Sequence, residues 1–263
     1  MDASRRDRIV LKTRDEIARL REAGLVVHEV LAELARTVAP GMTTLEADRL
    51  AASRARERGA EPAFLGYLGY PASLCISVND EVVHGIPSPT RVLRDGDLVK
   101  LDFGVVRGGW VGDAAVTVAV GRPSAEAARL IETTRGALER GIAAAVPGRH
   151  VGDIGAAVHA FVESRAFSVV REFSGHGVGR RLHEPPHVPN YGPAGAGEPL
   201  RPGMVLAVEP MVNAGTWQVR HLADGWTAVT ADGRLSAHFE HTIAVTEDGP
   251  LVLTAAAGRE RLP

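Results

Sequence analysis

The chain lacks the features that define several classes of protein. Its 263 residues include one cysteine, Cys75, which excludes an intrachain disulfide and a cysteine-rich zinc site and is typical of a reducing compartment. No apolar run approaches the roughly 20 residues of a membrane-spanning helix. The formal net charge of −2 indicates neither a nucleic-acid nor a membrane partner.

Several common site motifs are also missing. The sequence has no EF-hand loop, no P-loop and no G-x-S-x-G nucleophile elbow. Its first residues, MDASRRDRIVLKTRDE, lack the apolar core of a secretory signal, so we expect a cytoplasmic protein. A content of 45% hydrophobic and 24% charged residues is ordinary for a globular enzyme.

Hydrophobic periodicity predicts helices in two pairs, each pair followed by short strands and turns. The predicted helices cover about 14–38, 43–57, 124–145 and 151–165, with the second capped by Thr43 or Thr44. The predicted strand regions cover 60–120 and 168–253. A mixed α/β (α+β) fold with a repeated helix-helix-sheet order is therefore expected.

Short motifs recur 107 residues apart and support this repeat. The matched pairs are Pro40-Gly41 with Pro147-Gly148, Leu93 with Leu200, and Asp102 with Glu209. We expect two pseudo-symmetric halves that meet at a site, because pockets often form at such junctions. The predicted division is a tail of residues 1–14 and one domain of residues 15–263, with halves at about 15–123 and 124–253.

Asp102 and Asp113 lie in two valine-rich segments that are predicted as strands, LVKLDFGVV and WVGDAAVTVAV. The turn signal between them suggests a two-residue loop at Arg107 and Gly108. That loop would make the two aspartates direct cross-strand partners, with Cβ atoms roughly 5 Å apart. Facing carboxylates on apolar strands repel each other, so the pattern predicts a pair of metal ions between them.

Two more acids and three histidines extend this candidate site. Glu209 lies in MVLAVEPMV and Glu240 in SAHFEHTIAV, and a carboxylate in such an apolar run is rarely left unpaired. His176 lies between glycines in FSGHGVGR, where the backbone can approach a ligand closely. His84 and His183 are further candidates, although a single histidine is more often an ordinary core or surface residue. Oxygen ligands with one imidazole suit Mn²⁺, Fe²⁺, Co²⁺ or Zn²⁺ without ranking them.

Five segments together resemble a known family. They are FLGYLGYPASLCISVNDEVVHGIP, LDFGVVRGGWVGDAA, SGHGVGRRLHEPPHVPNYG, GMVLAVEPM and DGWTAVTADGRLSAHFEHT. From about Asp15 to Leu253 the chain resembles the type I methionine aminopeptidases. The resemblance implies the pita-bread fold, with a helix pair and antiparallel strands of one sheet in each half. It also implies a monomer.

The resemblance further implies two divalent ions and a hydrolytic reaction. Asp102 would chelate one ion, Asp113 and Glu240 would bridge both, and His176 and Glu209 would complete the shell of the second. The implied reaction removes the initiator methionine from nascent proteins and peptides with a small second residue, near the ribosome. The free α-amine of the peptide substrate would bind a metal.

Catalytic and binding roles also follow from the resemblance. Glu209 would shuttle the proton of the attacking water, His183 would stabilise the tetrahedral intermediate, and His84 would contact the scissile amide. The implied substrate-binding residues are Tyr67, Tyr70, Cys75, His84, His183 and Trp226.

The chain departs from the commonest family pattern at Phe64, Gly104, Leu182 and His238, which affects pocket shape but no metal ligand. Two other functions share the fold. One is an Xaa-Pro aminopeptidase or dipeptidase, which usually carries a separate N-terminal domain. The other is a non-catalytic binding protein, which typically has lost metal ligands that this sequence retains.

Overall fold

The computed structural model describes residues 8–256, and its helices follow the predicted pattern. They are α1 (Arg14–Thr37), α2 (Thr44–Glu57), α3 (Ala125–Ala144) and α4 (Val151–Glu163). The first two helices begin with capping boxes, Thr13 with Glu16 and Thr43 with Glu46, in which side chain and backbone satisfy each other reciprocally. In the described part of the chain, no helix is long and apolar enough to cross a membrane.

The strands are short except for one long hairpin. They are β1 (Glu61–Pro62), β2 (Cys75–Val78), β3 (Glu81–Val83), β4 (Leu98–Arg107), β5 (Trp110–Ala119), β6 (Ser168–Val169), β7 (Gly175–Gly177), β8 (Glu184–Val188), β9 (Val205–Val208), β10 (Met211–Asn213), β11 (Val219–His221), β12 (Ala228–Thr230), β13 (Ser236–His238), β14 (Glu240–Thr246) and β15 (Gly249–Val252).

Nine of these strands form one antiparallel sheet with the order β1-β4-β5-β14-β9-β7-β8. At its margins, β2 pairs with β4 and β15 pairs with β14. Two three-stranded sheets, β13-β10-β6 and β11-β12-β3, complete the β structure. Helix α1 packs against β4 and β5, and its buried Val27, Leu31 and Leu34 belong to the same apolar core as Leu101 and Phe103 of β4.

The hairpin of β4 and β5 differs from the sequence prediction in its register. Its loop is Gly108-Gly109, not Arg107-Gly108, so Asp102 pairs with Ala115 and Gly104 pairs with Asp113. Both loop glycines have positive φ, 57° and 78°, as a type I′ turn requires at its two central positions. The predicted loop would have forced Arg107 into that conformation. The two aspartates are therefore diagonal neighbours on one face, not direct partners.

The repeat of 107 residues is visible in backbone hydrogen bonds. The amide of Gly41 donates to the carbonyl of Leu93, and the amide of Gly148 donates to that of Leu200, at 2.9 and 3.3 Å. Isolated bridges repeat the offset, Thr43 with Val92 and His150 with Pro199. These bonds agree with two related halves, whose boundaries at about 15–123 and 124–253 stay a prediction.

The segment before α1 is attached to the rest of the protein at Lys12. Its backbone amide donates to the carbonyl of Gly203 at 2.7 Å, and its ammonium group forms a buried ion pair with Glu184 at 2.6 Å. Glu184 directly follows His183, so the ion pair of Lys12 and Glu184 connects the segment before α1 to the candidate site. Residues 1–7 of the predicted tail lie outside the described residues.

Candidate metal centre

The five predicted metal ligands come from five strands that are consecutive in the large sheet. In sheet order they are Asp102 on β4, Asp113 on β5, Glu240 at the start of β14, Glu209 just after β9 and His176 on β7. Because the strands are adjacent and antiparallel, residues 138 positions apart in the chain reach one region of one sheet face. The sheet thus brings together side chains that the sequence only suggested as a set.

Asp113, His176 and Glu240 form the centre of this group. One ligand atom from each lies within 4.8 Å of the others, and the three residues are 4%, 7% and 2% exposed. Glu209 is adjacent, with Oε1 at 3.4 Å from Nε2 of His176, which also lies 3.8 Å from Oδ2 of Asp113. Such an arrangement of buried carboxylates around one imidazole is a candidate cation site.

His176 is oriented as a metal-binding histidine would be. Its Nδ1 lies 3.0 Å from the carbonyl of Gly177, which can only accept, so Nδ1 carries the proton. The lone pair of Nε2 then points at carboxylate oxygens of Asp113 and Glu209. Burial lowers the pKa of His176 to about 3, so the ring is neutral and cannot itself offset their charge. A cation between these atoms would turn repulsive contacts into attractive ones.

The environment of the acids also disfavours their negatively charged forms. Within residues 8–256, one buried oxygen each of Asp102, Asp113 and Glu240 has no hydrogen-bond partner. Burial raises the pKa of Asp102 to about 7 and raises those of Asp113, Glu209 and Glu240 well above their ordinary values, with mutual repulsion adding to the effect in the last three. The donor set therefore fits a divalent metal, because ionised carboxylates at neutral pH require one here.

The metal-free protein is expected to become less stable to unfolding as the pH rises. An acid with a raised pKa in the folded state stabilises that state below its unfolded pKa, about 4, and this contribution is lost as the pH rises through the folded pKa. For Asp102 that folded pKa is about 7. We expect the unfolding temperature of chelator-treated protein to decrease between pH 5 and pH 8, measured by calorimetry.

A matched pair of substitutions tests whether the cluster causes this dependence. Glu240→Gln removes one buried charge and should flatten the pH dependence, whereas Glu247→Gln, in the exposed turn after β14, should leave it unchanged. A metal-free protein whose unfolding temperature rises over this interval would contradict the electrostatic account.

All predicted ligands, catalytic residues and pocket residues line a single cavity. Its volume is about 230 Å³, below the roughly 300–1,000 Å³ typical of pockets for drug-sized ligands. The predicted residues that line it are Tyr67, Tyr70, Cys75, His84, Asp102, Asp113, His176, His183, Glu209, Trp226 and Glu240. This size suits one side chain placed beside the acid cluster.

Aromatic residues form the apolar part of the cavity. Tyr70 and Trp226 pack edge to face with centroids 5.1 Å apart. The Tyr70 hydroxyl donates to the carbonyl of Gly85 at 2.8 Å and thereby holds the turn that carries His84. His84 has a φ of 61°, an uncommon conformation for a residue with a side chain and one that is often found at functional sites.

His183 lies between the acid cluster and the aromatic wall. Its ring centroid is 4.2 Å from that of His176, and its Nδ1 lies 2.7 Å from the hydroxyl oxygen of Tyr67. Burial lowers the pKa of His183. A neutral imidazole with one nitrogen bound to a hydroxyl leaves Nε2 available to a ligand in the cavity.

Comparison with known proteins identifies the family. A peptidase family matches residues 18–247 of the chain. The chain belongs to metallopeptidase family M24. Methionine aminopeptidase 1 of Bacillus subtilis (strain 168) is 49% identical over 246 residues, which cover 94% of this chain and 99% of the relative. The methionine aminopeptidase of Escherichia coli (strain K12) is 44% identical over 247 residues, covering 94% of each chain.

Solved structures agree with this assignment. The methionine aminopeptidase from Thermotoga maritima superposes with a TM-score of 0.93 at 45% identity, covering 95% of this chain and all of that one. Within family M24 the chain thus belongs with the methionine aminopeptidases, and the predicted pita-bread fold is confirmed. Prolidase from Pyrococcus furiosus, with a TM-score of 0.79 and 23% identity over 97% of this chain and 68% of that one, shares the fold alone.

Sequence reasoning missed several residues of the cavity. The unpredicted lining residues are Leu68, Val83, Phe173, Ser174 and Met211. Phe173 and Ser174 precede the Gly175-His176 pair, and Met211 closely follows Glu209, so proximity to a predicted ligand could have indicated them. Leu68 gave no signal, because an exposed leucine in a turn has no distinguishing pattern.

Three departures from the family pattern, Phe64, Leu182 and His238, also line the cavity. Leu182 contributes to the apolar cluster beside the site. His238 is 1% exposed, and neither of its ring nitrogens has a hydrogen-bond partner in the described part of the chain. The Nε2 atom of His238 lies 3.9 Å from Oε2 of Glu209, so the Glu209 carboxylate lies between two imidazoles.

Proposed function

We propose that the chain removes the N-terminal methionine from proteins and peptides with a small second residue, by metal-dependent hydrolysis. The observation that carries this proposal is a group of four acids, two of them buried, and one neutral histidine, which line a cavity sized for one side chain. The near full-length similarity to methionine aminopeptidases supports the same conclusion.

We propose that two divalent ions occupy the cluster, held by Asp102, Asp113, His176, Glu209 and Glu240. Four ionised carboxylates carry four negative charges, which two divalent cations balance. When bound, such ions acidify water and polarise the carbonyl of the first peptide bond. Cobalt, manganese, iron and zinc ions all suit carboxylate and imidazole ligands.

Glu209 is proposed to handle the proton of the attacking water. Its carboxylate lies at the edge of the cluster and lines the cavity, where it can take a proton from water and pass it to the leaving amine. Burial raises the pKa of this carboxyl in the metal-free protein, whereas bound cations would favour its ionised form. The ionised form is the one that can accept a proton from water.

His183 and His84 are proposed to act on the peptide itself. The raised pKa of Tyr67 keeps its hydroxyl protonated, so that it can donate to Nδ1 of His183. Nε2 of His183 then carries the proton and can donate to the developing oxyanion. Burial lowers the pKa of His84 to about 4, so His84 is neutral when it contacts the scissile amide.

Tyr67, Tyr70, Cys75 and Trp226 are proposed to bind the methionine side chain together with His84. Methionine is flexible and its sulfur packs well against aromatic edges, which suits a small cavity with aromatic walls. The proposed substrates are nascent chains near the ribosome, so we propose a cytoplasmic enzyme, acting as a monomer. The Xaa-Pro peptidases remain the alternative on the same fold, but only fold likeness supports them.

A peptide comparison tests this function. Purified protein should be stripped of metal, reloaded with Mn²⁺, Co²⁺, Fe²⁺ or Zn²⁺ in turn, and offered Met-Ala-Ser and Ala-Pro-Ala. We expect release of methionine only, and only with metal. Release of alanine from Ala-Pro-Ala would favour the Xaa-Pro alternative, whereas reloaded protein that cleaves neither peptide would favour a binding protein.

A further inference from the structure

Gly104 occupies a position where glycine has no backbone reason to be. It lies inside β4, and its φ is outside the left-handed region that favours glycine. Glycine in the interior of a strand is less stable than alanine because it loses more conformational freedom and packs no side chain. A close approach by another group is the usual reason for such a residue.

The group that approaches Gly104 is the ring of Phe64. A Cβ atom on residue 104 would lie 2.6 Å from Cε1 of Phe64 and 3.2 Å from its Cζ. The backbone just before Phe64 is held against β4, because β1 pairs with β4 and the amide of Ala63 donates to the carbonyl of Gly104 at 2.8 Å. Strand pairing thus places Phe64 beside Gly104, and its ring occupies the space that a side chain at residue 104 would need.

This contact lies next to the acid cluster. Gly104 is directly opposite Asp113 in the hairpin and two residues after Asp102, so all three positions share one face of the sheet. Phe64 is 7% exposed and lines the cavity. The ring therefore forms the cavity wall immediately beside the two aspartates.

We propose that Phe64, seated on Gly104, is a specificity-determining residue that limits which first side chains can reach the metal centre. The proposal rests on the proposed aminopeptidase function and adds a wall to its pocket. A ring in this position would leave room for an unbranched, flexible side chain and exclude branched or aromatic ones. Any side chain at residue 104 would move the ring away from β4 and change the shape of the cavity.

The test is a double-substitution cycle read as selectivity. The kcat/KM values for Met-Ala-Ser, Leu-Ala-Ser and Phe-Ala-Ser would be measured for the wild-type protein, Phe64→Ala, Gly104→Ala and the double variant, with bound metal counted by mass spectrometry. We expect Phe64→Ala to raise the ratio of Leu or Phe to Met at least about tenfold, the effect of a size change of a methylene or more in an apolar pocket. Metal content should not change.

The second expectation concerns coupling. Gly104→Ala alone should lower kcat/KM for Met-Ala-Ser about tenfold, but should have no further effect when residue 64 is already alanine, because no ring remains to be displaced. Leu65→Ala is the matched control, since Leu65 adjoins Phe64 but is 52% exposed, and it should leave the selectivity unchanged. If Gly104→Ala does not fold, Phe64→Leu tests the same inference. Leucine has no ring and is smaller than phenylalanine but larger than alanine, so the ratio of Leu or Phe to Met should lie between those of the wild-type protein and Phe64→Ala.

Two results would overturn the inference. One is a ratio of kcat/KM for the Leu or Phe peptide to that for the Met peptide that stays at the wild-type value in both Phe64→Ala and Phe64→Leu. An equal loss of kcat/KM for all three peptides would count as this result. The other is an effect of Gly104→Ala that is the same with phenylalanine or alanine at residue 64. A metal-loaded wild-type protein that releases no methionine contradicts the proposed function instead, so the two failures are distinct.

Discussion

Asp102→Asn is expected to lower both metal affinity and kcat/KM by at least about 100-fold. Residues that only support metal ligands typically cost 10–100-fold when they are changed, and a charged ligand should cost more. Asp102 projects a buried oxygen with no hydrogen-bond partner among the described residues, so its proposed role is to bind a cation. Asparagine keeps the volume but removes the charge. Metal titration by calorimetry and Met-Ala-Ser hydrolysis measure the two effects.

Stability separates this effect from misfolding. Because burial raises the pKa of Asp102 to about 7, its charge at pH 8 destabilises the metal-free fold. Metal-free Asp102→Asn should therefore be at least as stable as the metal-free wild-type protein at that pH. Asp248→Asn, in the exposed turn between β14 and β15, is the control and should behave as wild type. Full activity and unchanged metal stoichiometry in Asp102→Asn would argue against the site.

His183→Ala is expected to lower kcat by about 10²–10³-fold while KM and metal content change little. Removal of one preorganised donor to a developing oxyanion has an effect of this size. His183 points into the cavity but is not part of the ligand group formed by Asp113, His176 and Glu240. Steady-state kinetics on Met-Ala-Ser separates the two constants.

Tyr67→Phe provides a graded companion to this substitution. It removes the hydroxyl that lies 2.7 Å from Nδ1 of His183 but keeps the ring, so a loss of about tenfold or less is expected, as for one ordinary hydrogen bond. His159→Ala, on α4 and not among the residues that line the cavity, should have no effect. A change confined to KM in His183→Ala would indicate a binding role rather than stabilisation of the transition state.

The helices were predictable because their signals are local. Thr43 and Glu46 cap α2 through bonds that join residues three apart, and Pro-Gly pairs follow α1 and α3 within four residues. The strand hairpin was predicted in place but with the wrong loop, since both Arg107-Gly108 and Gly108-Gly109 contain a glycine. The preference of type I′ turns for positive φ at both positions decides for the second pair.

The register error left the predicted ligand face unchanged for a physical reason. The true partner of Asp102 is Ala115, two residues from the predicted partner Asp113, and side chains on a strand alternate with a period of two. A shift by two residues keeps both aspartates on one face, whereas a shift by one would have separated them. An error in the turn therefore changed the predicted cross-strand partner but not the predicted face of the strand.

The sequence by itself determined the residue types of the site, the helices and the strand faces, because capping, periodicity and alternation act over a few residues. Only the tertiary structure decided that β4, β5, β14, β9 and β7 lie side by side, and that Phe64 lies on Gly104. Those contacts join residues tens of positions apart, so they depend on which strand pairings the whole chain can satisfy at once. Local sequence patterns therefore do not predict the order of the strands.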